Sequence, residues 1–147
     1  MTIQDITTLF KLEAAKHGFD DLPIKTDTSR RRIAGCAHLG PVPMYFTFST
    51  ILMPLMSEAE VLDTIRHEIA HAKTPDAGHG PMWKLAAITI GARPEPCSGA
   101  KIDAKMAGYK YIAACACGPH THGKARRPTR SVMCSTCRQH LTYIQQY

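Results

Sequence analysis

The 147-residue sequence has no apolar run near the roughly 20 residues that a membrane-spanning helix needs, so a soluble chain is expected. Its opening, Met1-Thr2-Ile3-Gln4-Asp5, has neither the basic region nor the apolar region of a secretory signal, and the expectation is a cytoplasmic protein. In that compartment thiols stay reduced, so the six cysteines are not expected to form a disulfide framework. Acidic side chains are nearly missing from the last third. Residues 101–147 hold one Asp or Glu against eight Lys and Arg, whereas residues 1–100 hold eleven against ten. The net charge of +6 therefore belongs to the tail, and such asymmetry points to a polyanionic partner such as nucleic acid.

What is present suffices for one compact domain carrying a small module: 44% of the residues are hydrophobic. Ile3, Ile6, Leu9, Phe10 and Glu13 follow the helical repeat, with the apolar members on one face. They predict a helix from Thr2, as N-cap, to His17, with Gly18 as its stop. From Leu22 to Ser57 the pattern changes to short β-rich runs between prolines and glycines. Strands are expected near Ile24–Asp27, Arg31–Leu39 and Met44–Thr50, with Leu39-Gly40-Pro41-Val42-Pro43 turning between the last two. In the third run Met44, Phe46 and Phe48 alternate with Tyr45, Thr47 and Ser49, so one face is expected to be buried. The triplet Arg30-Arg31-Arg32 reads as a solvated strand edge and Cys36 as a small buried residue.

Ser57-Glu58-Ala59-Glu60 is a capping box, and Leu62, Ile65 and Ile69 then repeat at helical spacing to about Lys73. On the second half of that helix stands His67-Glu68-Ile69-Ala70-His71. Histidines four apart lie one above the other on a helix face, so their imidazoles can close on one metal ion. The glutamate beside the first can reach a water held there. This is the zinc-metalloprotease pattern of two ligands, His67 and His71, and a general base, Glu68. A catalytic zinc takes three protein ligands and keeps a fourth position open. His79, in the loop before Pro81, is the best candidate for the third, and Asp76 is the runner-up. Pro81 suits the first turn of a further helix, which Trp83, Leu85, Ala86, Ile88 and Ile90 carry to Gly91. Trp83 is read as core in preference to cleft wall. The segment 92–107 is read as a connection, and Cys97 receives no role.

Tyr109 to Tyr147 reads as a zinc ribbon. Cys115-x-Cys117-Gly118 and Cys134-x-x-Cys137 would each sit on a tight turn at the end of a hairpin, and four thiolates would close a structural zinc site. His120 or His122 could replace one cysteine. Between the pairs stand Lys124, Arg126, Arg127 and Arg130, with Tyr109, Tyr111 and Tyr143 expected on flanking strands. Cations beside aromatics suit phosphates and unstacked bases, and the tyrosines lean toward single-stranded DNA.

His67-Glu68-x-x-His71, the spaced His79-Gly80-Pro81, the preceding Arg32-Ile33-Ala34-Gly35 and the cysteine ribbon together resemble the SprT-like, or Spartan-type, metalloproteases. The order of elements looks like the family's minimal bacterial or viral form. The resemblance implies an α+β, zincin-like domain of three main helices and a short three-stranded sheet over residues 1–108, then a basic zinc ribbon over 109–147. It also implies one catalytic and one structural Zn2+, with His67, His71 and His79 as zinc ligands and Glu68 as base. The implied activity is proteolysis of DNA-bound or DNA-crosslinked proteins. A monomer is the default expectation, with no membrane association and with the nucleoid as its place when bound to DNA. Two other readings stand beside it: a non-proteolytic DNA-binding protein with two structural zinc sites, and a protease unrelated to DNA. Glu68 argues against the first, because a closed structural site has no use for a base there.

Overall fold

The computed structural model describes residues 1–29, 32–40, 44–96, 102–118 and 121–147. The expectations placed on Arg30, Arg31, Pro41, Val42, Pro43, Cys97 and His120 lie outside the described residues. The chain divides into two compact units, Met1–Ala100 and Lys101–Tyr147.

In the first unit, helix α1 spans Ile3–Lys16 and is held at its start by a reciprocal cap. The Asp5 N–H donates to Thr2 Oγ1 (3.1 Å), and the Thr2 N–H donates to Asp5 Oδ2 (2.8 Å). It ends at His17, and Gly18 follows in the left-handed region at φ +84°. Ile6, Phe10 and Ala14 bury its inner face, and Glu13 is buried with them.

Strands β1 (Ile24–Asp27), β2 (Gly35–His38) and β3 (Tyr45–Ser49) form one sheet in the order β1-β3-β2. β1 runs parallel and β2 antiparallel to the central β3. β2 is shorter than expected: Arg32 and Ile33 precede it, and Ile33 is exposed. The expectation of one buried face on β3 holds for Phe46 and Phe48, whose rings lie 4.9 and 6.5 Å from Phe10. Thr47 and Ser49 are buried as well, which alternation does not anticipate. Both sit on the central strand with their hydroxyls engaged. Thr47 Oγ1 meets His38 Nε2 at 3.0 Å, while Ser49 Oγ accepts the Ile51 and Leu52 N–H groups, forming the turn after the strand.

Helix α2 spans Glu58–Lys73 with the capping box in place: the Ser57 hydroxyl accepts from the Glu60 amide and the Glu60 carboxylate from the Ser57 amide. Val61, Ile65 and Ile69 form its fully buried stripe. Helix α3 spans Pro81–Thr89, with Gly80 as N-cap and Pro81 in its first turn. Of the residues expected to carry it, Leu85 and Ile88 are exposed, and Trp83 and Ala87 make the inner stripe, with Ile90 just beyond. A nine-residue helix resting on one neighbour has room for a single line of contacts at i, i+4.

Among its described residues the second unit holds five short strands: β4 (Tyr111–Ala114), β5 (Thr121–Lys124), β6 (Val132–Met133), β7 (His140–Leu141) and β8 (Ile144–Gln145). They pair as β5-β4-β8 and β6-β7. Only Tyr111 of the three expected strand tyrosines lies in a strand; Tyr109 and Tyr143 stand just outside β4 and β8. No described helix in either unit is long and apolar enough to cross a membrane.

Candidate metal centres

Three features of local sequence bring the histidines together. The helical repeat puts His67 and His71 on one face of α2. The helix then stops at Thr74, whose amide donates to the Ala70 and His71 carbonyls and whose hydroxyl bonds Ala70 again. Two further turns, Ala77 N–H to Thr74 O and Gly80 N–H to Ala77 O, reverse the chain, with Gly78 at φ +53° between them. His79 is thereby laid over the helix face. Its Nε2 lies 3.1 Å from Nε2 of His71 and 3.2 Å from Nε2 of His67.

These spacings can be set against zinc. Two nitrogens at about 2.05 Å from a tetrahedral ion stand about 3.3 Å apart, so the spacings of His79 to His71 and to His67 both suit one ion. All three candidate ligand atoms lie within 4.8 Å of one another, and Asp76 is not among them. Ligation also needs neutral imidazoles, and the site favours them. Burial, then the neighbouring His71 and His79, push His67 down to about 4. Burial and His79 lower His71 in the same direction. His67 is buried, His71 half-buried and His79 exposed, so the site opens on the His79 side.

Trp83 is core, as expected, and it also packs against the three histidines. It is fully buried, as core, and its ring centroid lies 4.7, 5.2 and 4.5 Å from those of His67, His71 and His79. One rigid indole thus backs all three imidazoles. Its Nε1–H is buried with no hydrogen-bond partner among the described residues.

Glu68 is buried one residue on from His67. Its Oε2 accepts the Ala37 N–H at 2.7 Å, a contact across 31 residues that no sequence motif announces. β2 is an edge strand, and this amide finds the carboxylate where a further strand would otherwise stand.

In the second unit Cys115 and Cys117 occupy the turn after β4, and Cys134 and Cys137 the turn between β6 and β7. Their sulfurs lie 3.2–3.6 Å apart in three pairs, far beyond a disulfide bond, and all four are free thiols. Zinc thiolates at about 2.3 Å would stand about 3.8 Å apart, so the cluster accepts an ion by opening a few tenths of an ångström. Backbone N–H groups of Cys137 and Thr136 aim at Cys134 and hold its thiol down at about 5, preparing one thiolate. The hydrogen bond shared with Cys115 pushes Cys117 up to about 12, so a metal must displace that proton. His122, on β5, does not join the sulfur cluster. Lys124 ends β5 half-buried, and Arg126, Arg127 and Arg130 follow it, exposed.

No curated protein matches the chain. The family model for the SprT-like family matches residues 4–105, which takes in all three clustered histidines, and the chain therefore belongs to the SprT-like family.

Proposed function

We propose that the protein is a zinc-dependent peptidase that hydrolyses proteins bound or crosslinked to DNA. The family implies a metalloprotease-type domain. The observation that carries the finer reading is the convergence of three imidazoles, with Glu68 on the helix that supplies two of them. His67, His71 and His79 would hold the ion. When bound there, it supplies Lewis acidity and lowers the pKa of a coordinated water to about 7. Glu68 accepts the proton of the attacking water on a carboxylate oxygen and returns it to the leaving amine. Ala37 restrains that carboxylate through Oε2, while Trp83 keeps the imidazoles apart from solvent on their inner side. Three ligands leave an open position for substrate, whereas four cysteines make a closed, structural site.

The DNA half of the proposal rests on charge. Lys124, paired with Tyr111 at the end of β5, is followed by the exposed Arg126, Arg127 and Arg130, and a polyanion of unpaired bases would satisfy cations and tyrosine alike. The competing reading, a non-proteolytic DNA-binding protein, leaves Glu68 only its hydrogen bond to Ala37 and no chemistry at the histidine cluster.

Glu68→Gln tests the chemistry. It should keep both zinc ions and lower cleavage of a DNA-bound protein at least about 100-fold, as loss of a general base does. Parental cleavage by that variant would refute the mechanism. Replacing Arg126, Arg127 and Arg130 with Gln tests the DNA contact. Each lost phosphate contact should reduce the slope of log affinity against log salt by about 0.9 on duplex DNA and about 0.7 on single strands. An unchanged slope would remove this loop from the interface.

A further inference from the structure

We infer that strand β2 is the seat of the catalytic base, with the bare Cα of Gly35 and the N–H of Ala37 acting together as positioning groups for Glu68. The inference rests on the reading of Glu68 as base and specifies what holds it. A glutamate has three rotatable side-chain bonds, and a proton acceptor must be kept in one of their combinations. Ala37 secures one oxygen by a 2.7 Å hydrogen bond.

Gly35, two residues earlier on the same strand, bounds the other side. A Cβ placed there would stand 3.2 Å from Glu68 Cγ, 3.6 Å from Glu68 Oε1 and 3.0 Å from Thr64 Cγ2. Gly35 is not in the left-handed region, so its backbone does not require glycine. Glycine within a strand loses stability and marks a close approach. Here the approaching group is α2, at Thr64 and Glu68. Gly35 meets the stem of Glu68 with its bare Cα, and Ala37 meets the head with its main-chain N–H at the open edge of the strand. Stem and head of one glutamate are therefore fixed by alternate positions of one edge strand.

The test is Gly35→Ala, made alone and with Thr64→Ser. The second change removes the methyl at 3.0 Å, so the helix can stay in place and the added Cβ presses chiefly on Glu68. Misplacement by about 1 Å costs about 100-fold in rate, and a shift of a few tenths of an ångström should cost about tenfold. The double variant should accordingly lose about tenfold in kcat, with KM unchanged and full zinc content. Its Ala37 amide proton, deshielded in the parent by the charged acceptor, should move upfield. Parental kcat in the double variant would overturn the inference. So would a loss of kcat accompanied by loss of zinc, or one with the Ala37 resonance unmoved. Glu68→Gln run alongside separates the two levels. If that variant retains parental activity, the base assignment itself has failed; if it is inactive while the double variant is fully active, only the seat has failed.

Discussion

Glu13 and Arg66 offer a test of what fixes the ligand helix to its scaffold. Glu13 is only 2% exposed, and its carboxylate is shared by Lys16 on its own helix and by Arg66 Nε at 3.0 Å from α2. Arg66 directly precedes His67, and its Nη1 also bonds the Gly91 carbonyl at 3.3 Å. Burial pushes the Glu13 carboxyl up, but the Lys16 and Arg66 hydrogen bonds and charges together outweigh it and hold the group below its ordinary value. Arg66→Met removes one partner and keeps the aliphatic stem. Breaking a buried pair costs about 3–5 kcal/mol, but Lys16 remains and the Arg66 side chain is 28% exposed, so about 2–3 kcal/mol is expected. Glu13→Gln leaves the guanidinium near water and should cost less, about 1–2 kcal/mol. The double variant should cost less than the sum of the two, leaving about 1–2 kcal/mol of coupling. Urea unfolding followed through Trp83, the one tryptophan and a fully buried one, reports on this unit. Coupling below about 0.3 kcal/mol would refute the argument that this pair joins α1 to α2.

Other outcomes follow from the same geometry. The depressed His67 value sets a pH dependence on the metal-free protein. The unfolded imidazole takes a proton near 6.5 and the folded one only near 4, so stability is fully present above about 6.5 and falls as pH drops toward 4. A urea midpoint flat across that window would count against a buried neutral His67. Gly78→Ala forces a side chain onto φ +53° and should cost about 1 kcal/mol while weakening zinc at the histidine site, measured by chelator competition. Cys134→Ser should abolish zinc in the second unit yet leave the Trp83 emission of the first unchanged; a zinc content of two ions per chain would reject the sulfur site. Gly123→Ala would put a Cβ 2.3 Å from Tyr109 Cδ2, so the ring must move and the second unit should lose about 1–3 kcal/mol in thermal unfolding.

The elements that proved legible are those written in short-range signals. The capping box fixed the start of α2, and Pro81 and Gly91 bracketed α3, because a cap or a proline acts on amides within one turn. His67, His71 and His79 could be grouped from sequence because a helix repeat and one loop bring them together. What stayed hidden depends on partners far away in the chain. Burial of Thr47 and Ser49 follows from β3 being central, which alternation within one strand does not reveal. The exposure of Leu85 and Ile88 depends on how many neighbours α3 has. Ala37 and Gly35 carry no chemical signal of their own, so their approach to Glu68 could be seen only in three dimensions.

That division bears on how the proposed chemistry is built. The candidate metal ligands come from within thirteen consecutive positions, His67 to His79, so the imidazole cluster depends mainly on α2 and its following turns. The proposed base belongs to the same helix but takes its orientation from β2, and β2 in turn is placed by its ladder with β3. Damage to the sheet should then separate two properties that a damaged helix would lose together. A substitution such as Phe48→Ala, which empties the fully buried face of β3 where it pairs with Gly35, should cost about 3–5 kcal/mol. If the chain still folds, zinc affinity should survive while kcat falls, since the ligands stand on a helix and the base leans on the strand. Equal losses of metal and turnover in that variant would mean that the sheet supports the whole site and has no separate hold on Glu68.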